Sequence, residues 1–210
     1  MFLLADDMMK KLTKCYIALL LCNAGPLASA MLDWKPEQEN YILPEGYHLL
    51  AAKQIDGRLI ELGDGSQFKI FPADAETVLK WETSTPVTIS PNAYPYAGSD
   101  FFITNQRNGV SVYANFSDGP VIGHRLTNLI EHIDLHYGEI YLKDGRGNLT
   151  RWQIEPQDLP YVAKWELKET VVIGVNDSWF SRFFSKCEFI LTSYENFKTA
   201  KYVRANRKQL

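Results

Sequence analysis

The chain repeats itself, and the repeat limits what it can fold into more than any other feature. Residues 59–92 read LIELGDGSQFKIFPADAETVLKWETSTPVTISPN and residues 139–176 read EIYLKDGRGNLTRWQIEPQDLPYVAKWELKETVVIGVN. Leu62, Asp64 and Gly65 match Leu142, Asp144 and Gly145 at a spacing of 80. The second copy then carries four extra residues. From there Phe68, Ile70, Pro72, Asp74, Val78, Lys80, Trp81, Val87, Ile89 and Asn92 match Trp152, Ile154, Pro156, Asp158, Val162, Lys164, Trp165, Val171, Ile173 and Asn176 at a spacing of 84. Matches in one order over this length imply two copies of one structural unit.

Outward the match weakens. Ile55-Asp56 corresponds to Ile133-Asp134, and Phe101 to Thr104 corresponds to Glu188 to Leu191 or a neighbouring register. The units are placed at 45–117 and 121–206, joined near Ser117-Asp118-Gly119-Pro120, with 31–44 as a lead-in segment holding Trp34 and two prolines.

Within each unit the pattern is β. Leu59 to Leu62 and Gln67 to Phe71 flank Asp64-Gly65, a strong hairpin signal, and 140–142 with 149–154 repeat it around a longer turn. Gln67-Phe68-Lys69-Ile70 alternates, so Phe68 and Ile70 face a core. Pro-x-Asp with Val four residues later suits one or two helical turns that bring Val78 or Val162 inward. Further strands are predicted at 86–89, 101–104, 110–114, 170–173, 187–192 and 200–204. The fold class is all-β: two tandem copies of a small β-barrel-like domain, SH3-like or OB-like, of about five strands each, following a cleaved signal peptide. A unit of this size buries only about 60–65% of the surface its unfolded chain exposes, so the two are expected to pack together. Phe68, Trp152, Trp81 and Trp165 are read as core anchors.

Residues 1–30 read as an export signal. Lys10, Lys11 and Lys14 precede the apolar run Tyr16 to Cys22, and Ala28-Ser29-Ala30 offers a small-residue cleavage site. Met9-Lys10-Lys11 resembles a bacterial signal-peptide start, so Met9 is an alternative first residue to Met1. Asn23, Gly25 and Pro26 interrupt the uncharged stretch from Cys15 to Leu32, which argues against a retained transmembrane anchor. Leu21 before Cys22 is not small, which argues against a lipoprotein anchor. Export to the periplasm or beyond follows as the expected location. Cys15 and Cys22 fall in the leader, so the mature chain keeps Cys187 alone, read as a half-buried strand thiol, and no disulfide.

Charge narrows the partners. Net charge is -3, and without residues 1–30 the chain holds 19 basic against 23 acidic side chains, a balance that argues against nucleic acid. Lys198, Lys201, Arg204, Arg207 and Lys208 cluster near the C-terminus and read as a solvated tail.

No nucleophile motif, phosphate-cradling loop or Cys-x-x-Cys is present, and no cofactor is expected. The sharpest chemical candidate is His132-Ile133-Asp134-Leu135-His136: on a strand, His132, Asp134 and His136 would share one face and could form a metal triad. The matched segment, Gln54 to Arg58, lacks both histidines, so the fold does not require them. Asp56, Asp134, Asp74 and Asp158 recur as acidic positions, and Asp74 and Asp158 are read as caps of the short helical turns. Three N-x-S/T triplets, at Asn115, Asn148 and Asn176, are read as coincidence behind a bacterial leader.

After the matched Asn come Tyr94-Pro95-Tyr96 in one unit and Trp179-Phe180-Ser181-Arg182-Phe183-Phe184 in the other. These aromatics either seal the barrels or form a contact surface. The expected function is therefore an exported, non-enzymatic interaction module with Tyr94, Tyr96, Trp179, Phe180 and Phe183 as binding residues for a protein or envelope component. The alternatives are a metal-dependent enzyme at His132, Asp134 and His136, and a scaffold without a small ligand.

Overall fold

The computed structural model describes residues 43–92, 98–177 and 185–210. The expected signal peptide and nearly all of the lead-in lie outside them. Twelve strands are described: β1 (Tyr47–Lys53), β2 (Leu59–Leu62), β3 (Gln67–Ile70), β4 (Pro86–Pro91), β5 (Phe101–Asn105), β6 (Ser111–Asp118), β7 (Asn128–Asp134), β8 (Glu139–Asp144), β9 (Leu149–Ile154), β10 (Thr170–Val175), β11 (Phe189–Ser193) and β12 (Val203–Lys208). They form two closed barrels of six antiparallel strands, in the order β1-β2-β3-β6-β5-β4 and again β7-β8-β9-β12-β11-β10. The two orders are the same topology. The described residues are all-β apart from short helical turns, with two barrels in tandem, as the repeat implies.

The barrels have six strands where the pattern suggested about five. The additional strand in each, β1 or β7, closes the barrel by pairing with β4 or β10. Its apolar alternation is broken by a bulge, between Leu50 and Ala52 in β1 and between Ile130 and His132 in β7. A bulge shifts the inward face by one residue, which hides the period-2 signal. The paired registers also correct the outer alignment: Ile133 sits opposite Ile140 as Lys53 sits opposite Ile60, so Ile133 matches Lys53 rather than Ile55. The neighbouring register holds for the later strands, with Ile103 on Ile89 and Leu191 on Ile173.

The four extra residues lengthen the second hairpin and leave its turn unchanged. Leu62 N–H donates to Ser66 O across Gly63-Asp64-Gly65, and Asp144 N–H donates to Asn148 O across Gly145-Arg146-Gly147. Each is a three-residue turn with a left-handed glycine last, Gly65 at φ 87° and Gly147 at φ 92°. Two residues are added to each strand, and an even addition keeps every side chain on its own face.

Between β3 and β4 a 3₁₀ turn at Pro72–Asp74 leads into a helix at Ala75–Leu79, and Pro156–Asp158 leads into Leu159–Val162. Val78 and Val162 reach the cores as the spacing requires. Phe68, Trp81, Trp152 and Trp165 are all buried. Asp74 and Asp158 do not cap these turns, a correction to the sequence reading. Each carboxylate instead accepts a backbone N–H from the last strand of its barrel: Tyr113 N to Asp74 Oδ2 at 2.8 Å, and Arg204 N to Asp158 Oδ2 at 2.7 Å.

The barrels share an apolar seam. Val172 and Ile190 point out of the second barrel and join the core cluster of the first, where β4 packs against β10. Gly174 permits the approach: a Cβ there would stand 2.5 Å from the Ile89 carbonyl oxygen. The segment between β11 and β12 covers the first barrel, with Phe197 stacked on Phe101 (centroids 5.9 Å apart) and edge-on to Phe116 at 5.5 Å. The basic residues at the C-terminus are not a loose tail. Arg204, Arg207 and Lys208 belong to β12, Lys201 pairs with Asp100 at 3.0 Å, and Arg207 pairs with Glu45. Two of these pairs thus tie the second barrel to the first. Among the described residues no helix is long and apolar enough to cross a membrane.

Candidate functional site

The repeat places the same asparagine at the base of the β4–β5 and β10–β11 loops, and its side chain closes both. Asn92 Nδ2 donates to the Ser99 carbonyl at 2.8 Å while its N–H donates to Asp100 O at 2.9 Å. Asn176 Nδ2 donates to the Cys187 carbonyl at 2.8 Å, with its N–H on Glu188 O at 2.8 Å. A second asparagine braces each clasp from the last strand: Asn115 Oδ1 accepts Asp100 N–H at 2.7 Å, and Asn206 Oδ1 accepts Glu188 N–H at 2.9 Å. The pattern found only the first asparagine of each pair, because the second lies on β6 or β12 beyond the clear repeat. The loops so closed carry Tyr94, Tyr96, Trp179, Phe180 and Phe183, which lie outside the described residues.

Next to the second clasp, a cleft of about 610 Å³ opens at the seam. Glu45, Tyr47, Thr88 and Gln106 come from the first barrel, and Asn176, Asp177, Lys186, Glu188 and Phe189 are on the second. Gln106 Nε2 donates to Thr88 Oγ1 at 2.7 Å and fixes that wall. Burial pushes the Glu45 carboxyl up from its ordinary value, opposed by the Arg207 guanidinium. His48 ties the seam beneath. Its Nε2 lies 2.7 Å from the Ile173 carbonyl of β10, and because a carbonyl only accepts, Nε2 carries the hydrogen. Its Nδ1 stands 4.0 Å from the buried Asp64 carboxylate.

Behind the clasp lies Cys187. Its thiol donates to Glu155 Oε2 at 3.1 Å, and Ser185 Oγ donates to the same oxygen at 2.9 Å. Burial, then the carboxylate, pushes the thiol up to about 11. A thiol held protonated is a poor nucleophile, so this cluster is a buried polar network in character.

The candidate metal residues are placed as follows. β7 ends at Asp134, so His136 lies in the turn beyond it and the single strand face of three ligands does not form. Asp134 Oδ1 accepts the N–H groups of His136 and Tyr137 at 3.0 and 3.1 Å, the bonds of an Asx turn. His132 is exposed and tilted against Tyr141, with ring centroids 5.6 Å apart. Asp56, which the corrected register sets two residues past the position of Asp134, makes a turn bond of the same kind to Arg58 N–H at 3.0 Å. Among the described residues no group of three or more His, Cys, Asp or Glu side chains is arranged to hold a metal ion. Comparison of the chain with protein-family models, curated proteins and solved structures gives no match.

Proposed function

We propose that the protein is an exported, non-enzymatic binding module of a bacterial envelope, in which two rigid barrels present the loops carrying Tyr94, Tyr96, Trp179, Phe180 and Phe183 to a protein or envelope partner. The pair of asparagine clasps supports this reading most directly. Both copies hold the loop base with the same three hydrogen bonds, while the loop itself runs from 93 to 98 in one and from 177 to 186 in the other. A fixed base under a loop of varying length and aromatic content is the arrangement by which rigid scaffolds carry contact surfaces. The order of basic residues, apolar run and Ala28-Ser29-Ala30 supports export.

The test combines two variants with fractionation. Trp179→Ser with Phe180→Ser is expected to keep a cooperative thermal transition and lose capture of the partner from an envelope extract. A molten variant would place these rings in a core and overturn the reading. N-terminal sequencing of the periplasmic protein should begin at Met31; an uncleaved chain confined to the cytoplasm would overturn export.

A further inference from the structure

The two copies of the repeat carry opposite charge on the same outer face. In the first barrel the strand registers set Ala52 beside Glu61, Glu61 beside Gln67, and Gln67 beside Asp118. The same row of the second barrel is His132, Tyr141, Arg151 and Lys208. Both rows point outward, because the residues that alternate with them, Ile60, Leu62 and Phe68 in one barrel and Ile140, Leu142 and Trp152 in the other, are buried.

Most of these charges are unspent. Glu61 accepts a hydrogen bond from Gln67 Nε2 at 3.2 Å, and Asp118 accepts one from Gly119 N–H at 2.9 Å and holds the Tyr194 hydroxyl. Neither makes an ion pair among the described residues. Arg151 is taken up by Glu139, but Lys208, and Lys143 next to Tyr141 on the outer face of β8, are exposed and also make no ion pair among the described residues. The difference extends to the whole barrels: residues 43–118 hold nine acidic against five basic side chains, and residues 119–210 hold eleven against thirteen. The two ion pairs across the seam, Lys201 with Asp100 and Arg207 with Glu45, have the same sense, a base of the second barrel on an acid of the first.

The topology keeps the two rows apart within one chain. Around each ring of six strands β3 lies opposite β4, and β9 lies opposite β10. The seam is formed by β4 and β10, so rows centred on β2 and β3, or on β8 and β9, face away from the other barrel. An acidic face and a basic face so placed can meet only between molecules.

We infer that the protein associates head to tail with a second copy of itself, the Lys143, Arg151 and Lys208 face of one copy docking on the Glu61 and Asp118 face of the next. Such a contact is heterologous, so it propagates into short chains and does not stop at a dimer. Exposed charges make it weak and sensitive to salt. The inference goes beyond the aromatic-loop reading and does not rest on it.

The experiment is sedimentation velocity of the full mature chain over a concentration series. At about 20 mM sodium chloride the weight-average mass is expected to rise with concentration past that of a dimer, and about 200 mM should weaken the association at least about tenfold. Lys143→Glu with Lys208→Glu, both exposed positions, should stay monomeric with an unchanged thermal transition, and so should Glu61→Lys with Asp118→Lys. An equimolar mixture of the two variants again offers an acidic face to a basic one and should associate, a rescue that misfolding could not produce. A wild type that stays monomeric at low salt or stops at a dimer, or association that both variants keep, would overturn the inference. So would capture of poly-glutamate by a chain that stays monomeric, which would assign the basic row to an acidic partner. The Trp179→Ser, Phe180→Ser variant should associate as the wild type does, so failure of either reading shows separately.

Discussion

Asp158 and Arg204 are joined three times: Arg204 N–H and Nε donate to Asp158 Oδ2 at 2.7 and 2.9 Å, and Nη2 donates to Oδ1 at 2.7 Å. In the first barrel the Asp74 carboxylate accepts, among the described residues, only the backbone bond from Tyr113. Both aspartates fasten the helical turn to the last strand of its barrel, but the second does so with a shielded, bidentate ion pair. Asp158→Ala is therefore expected to cost about 3 kcal/mol, since it strands a partly buried guanidinium, and Asp74→Ala about 1.5 kcal/mol. Urea midpoints at neutral pH measure both. Equal losses would mean that the Arg204 side chain contributes nothing.

The seam makes a prediction of its own. Alanine at Gly174 would put its Cβ 2.5 Å from the Ile89 carbonyl oxygen and 2.8 Å from Ile190 Cγ1. Backbone cannot move aside cheaply, so Gly174→Ala should cost about 1–3 kcal/mol and loosen the barrels from each other. Limited proteolysis between 117 and 121 reads the second effect. Faster cutting there than in the wild type is expected; an unchanged pattern with unchanged stability would show that the seam adapts.

Cys187 should be silent in the native state. With its thiol pushed up to about 11, the thiolate fraction at pH 8 is on the order of one in a thousand. Ellman's reagent on the chain from residue 31 is expected to find no fast-reacting thiol in native buffer and one in urea. A fast native reaction would mean that Ser185 and Glu155 do not enclose it.

Much of this fold could be read from the repeat, because hairpin turns, inward valines and buried tryptophans are local signals. Leu62 and Leu142, or Val78 and Val162, carry their burial in their own spacing. What was not legible depends on contacts between distant parts. The bulges at Leu50 and Ile130 hide the closing strands and displaced the alignment of Ile133 by two residues. The roles of Asp74 and Asp158 depend on strands 39 and 46 residues downstream. Phe197 gave no periodic signal, since the surface it covers, Phe101 and Phe116, belongs to the other barrel. The cleft is similar: Tyr47 and Gln106 meet Asn176 and Glu188 only after the two barrels have packed.

The acid limb of stability should depend on Glu139. Arg151 Nε and Nη2 donate to its two carboxylate oxygens at 2.9 and 2.5 Å, and Tyr141 adds a third bond at 3.2 Å. The Arg151 hydrogen bonds hold the carboxyl below its ordinary value near 4.5, against an opposing effect of burial. A group whose value is depressed in the folded state takes up its proton more readily when unfolded. Its stabilisation is thus fully present above the unfolded value and is lost as pH falls through the folded one. Glu139→Gln should lower the urea midpoint at pH 7, and its deficit relative to the wild type should shrink progressively below pH 4.5. A deficit that stays constant down to pH 2 would assign the loss to packing around Tyr141 rather than to the ion pair.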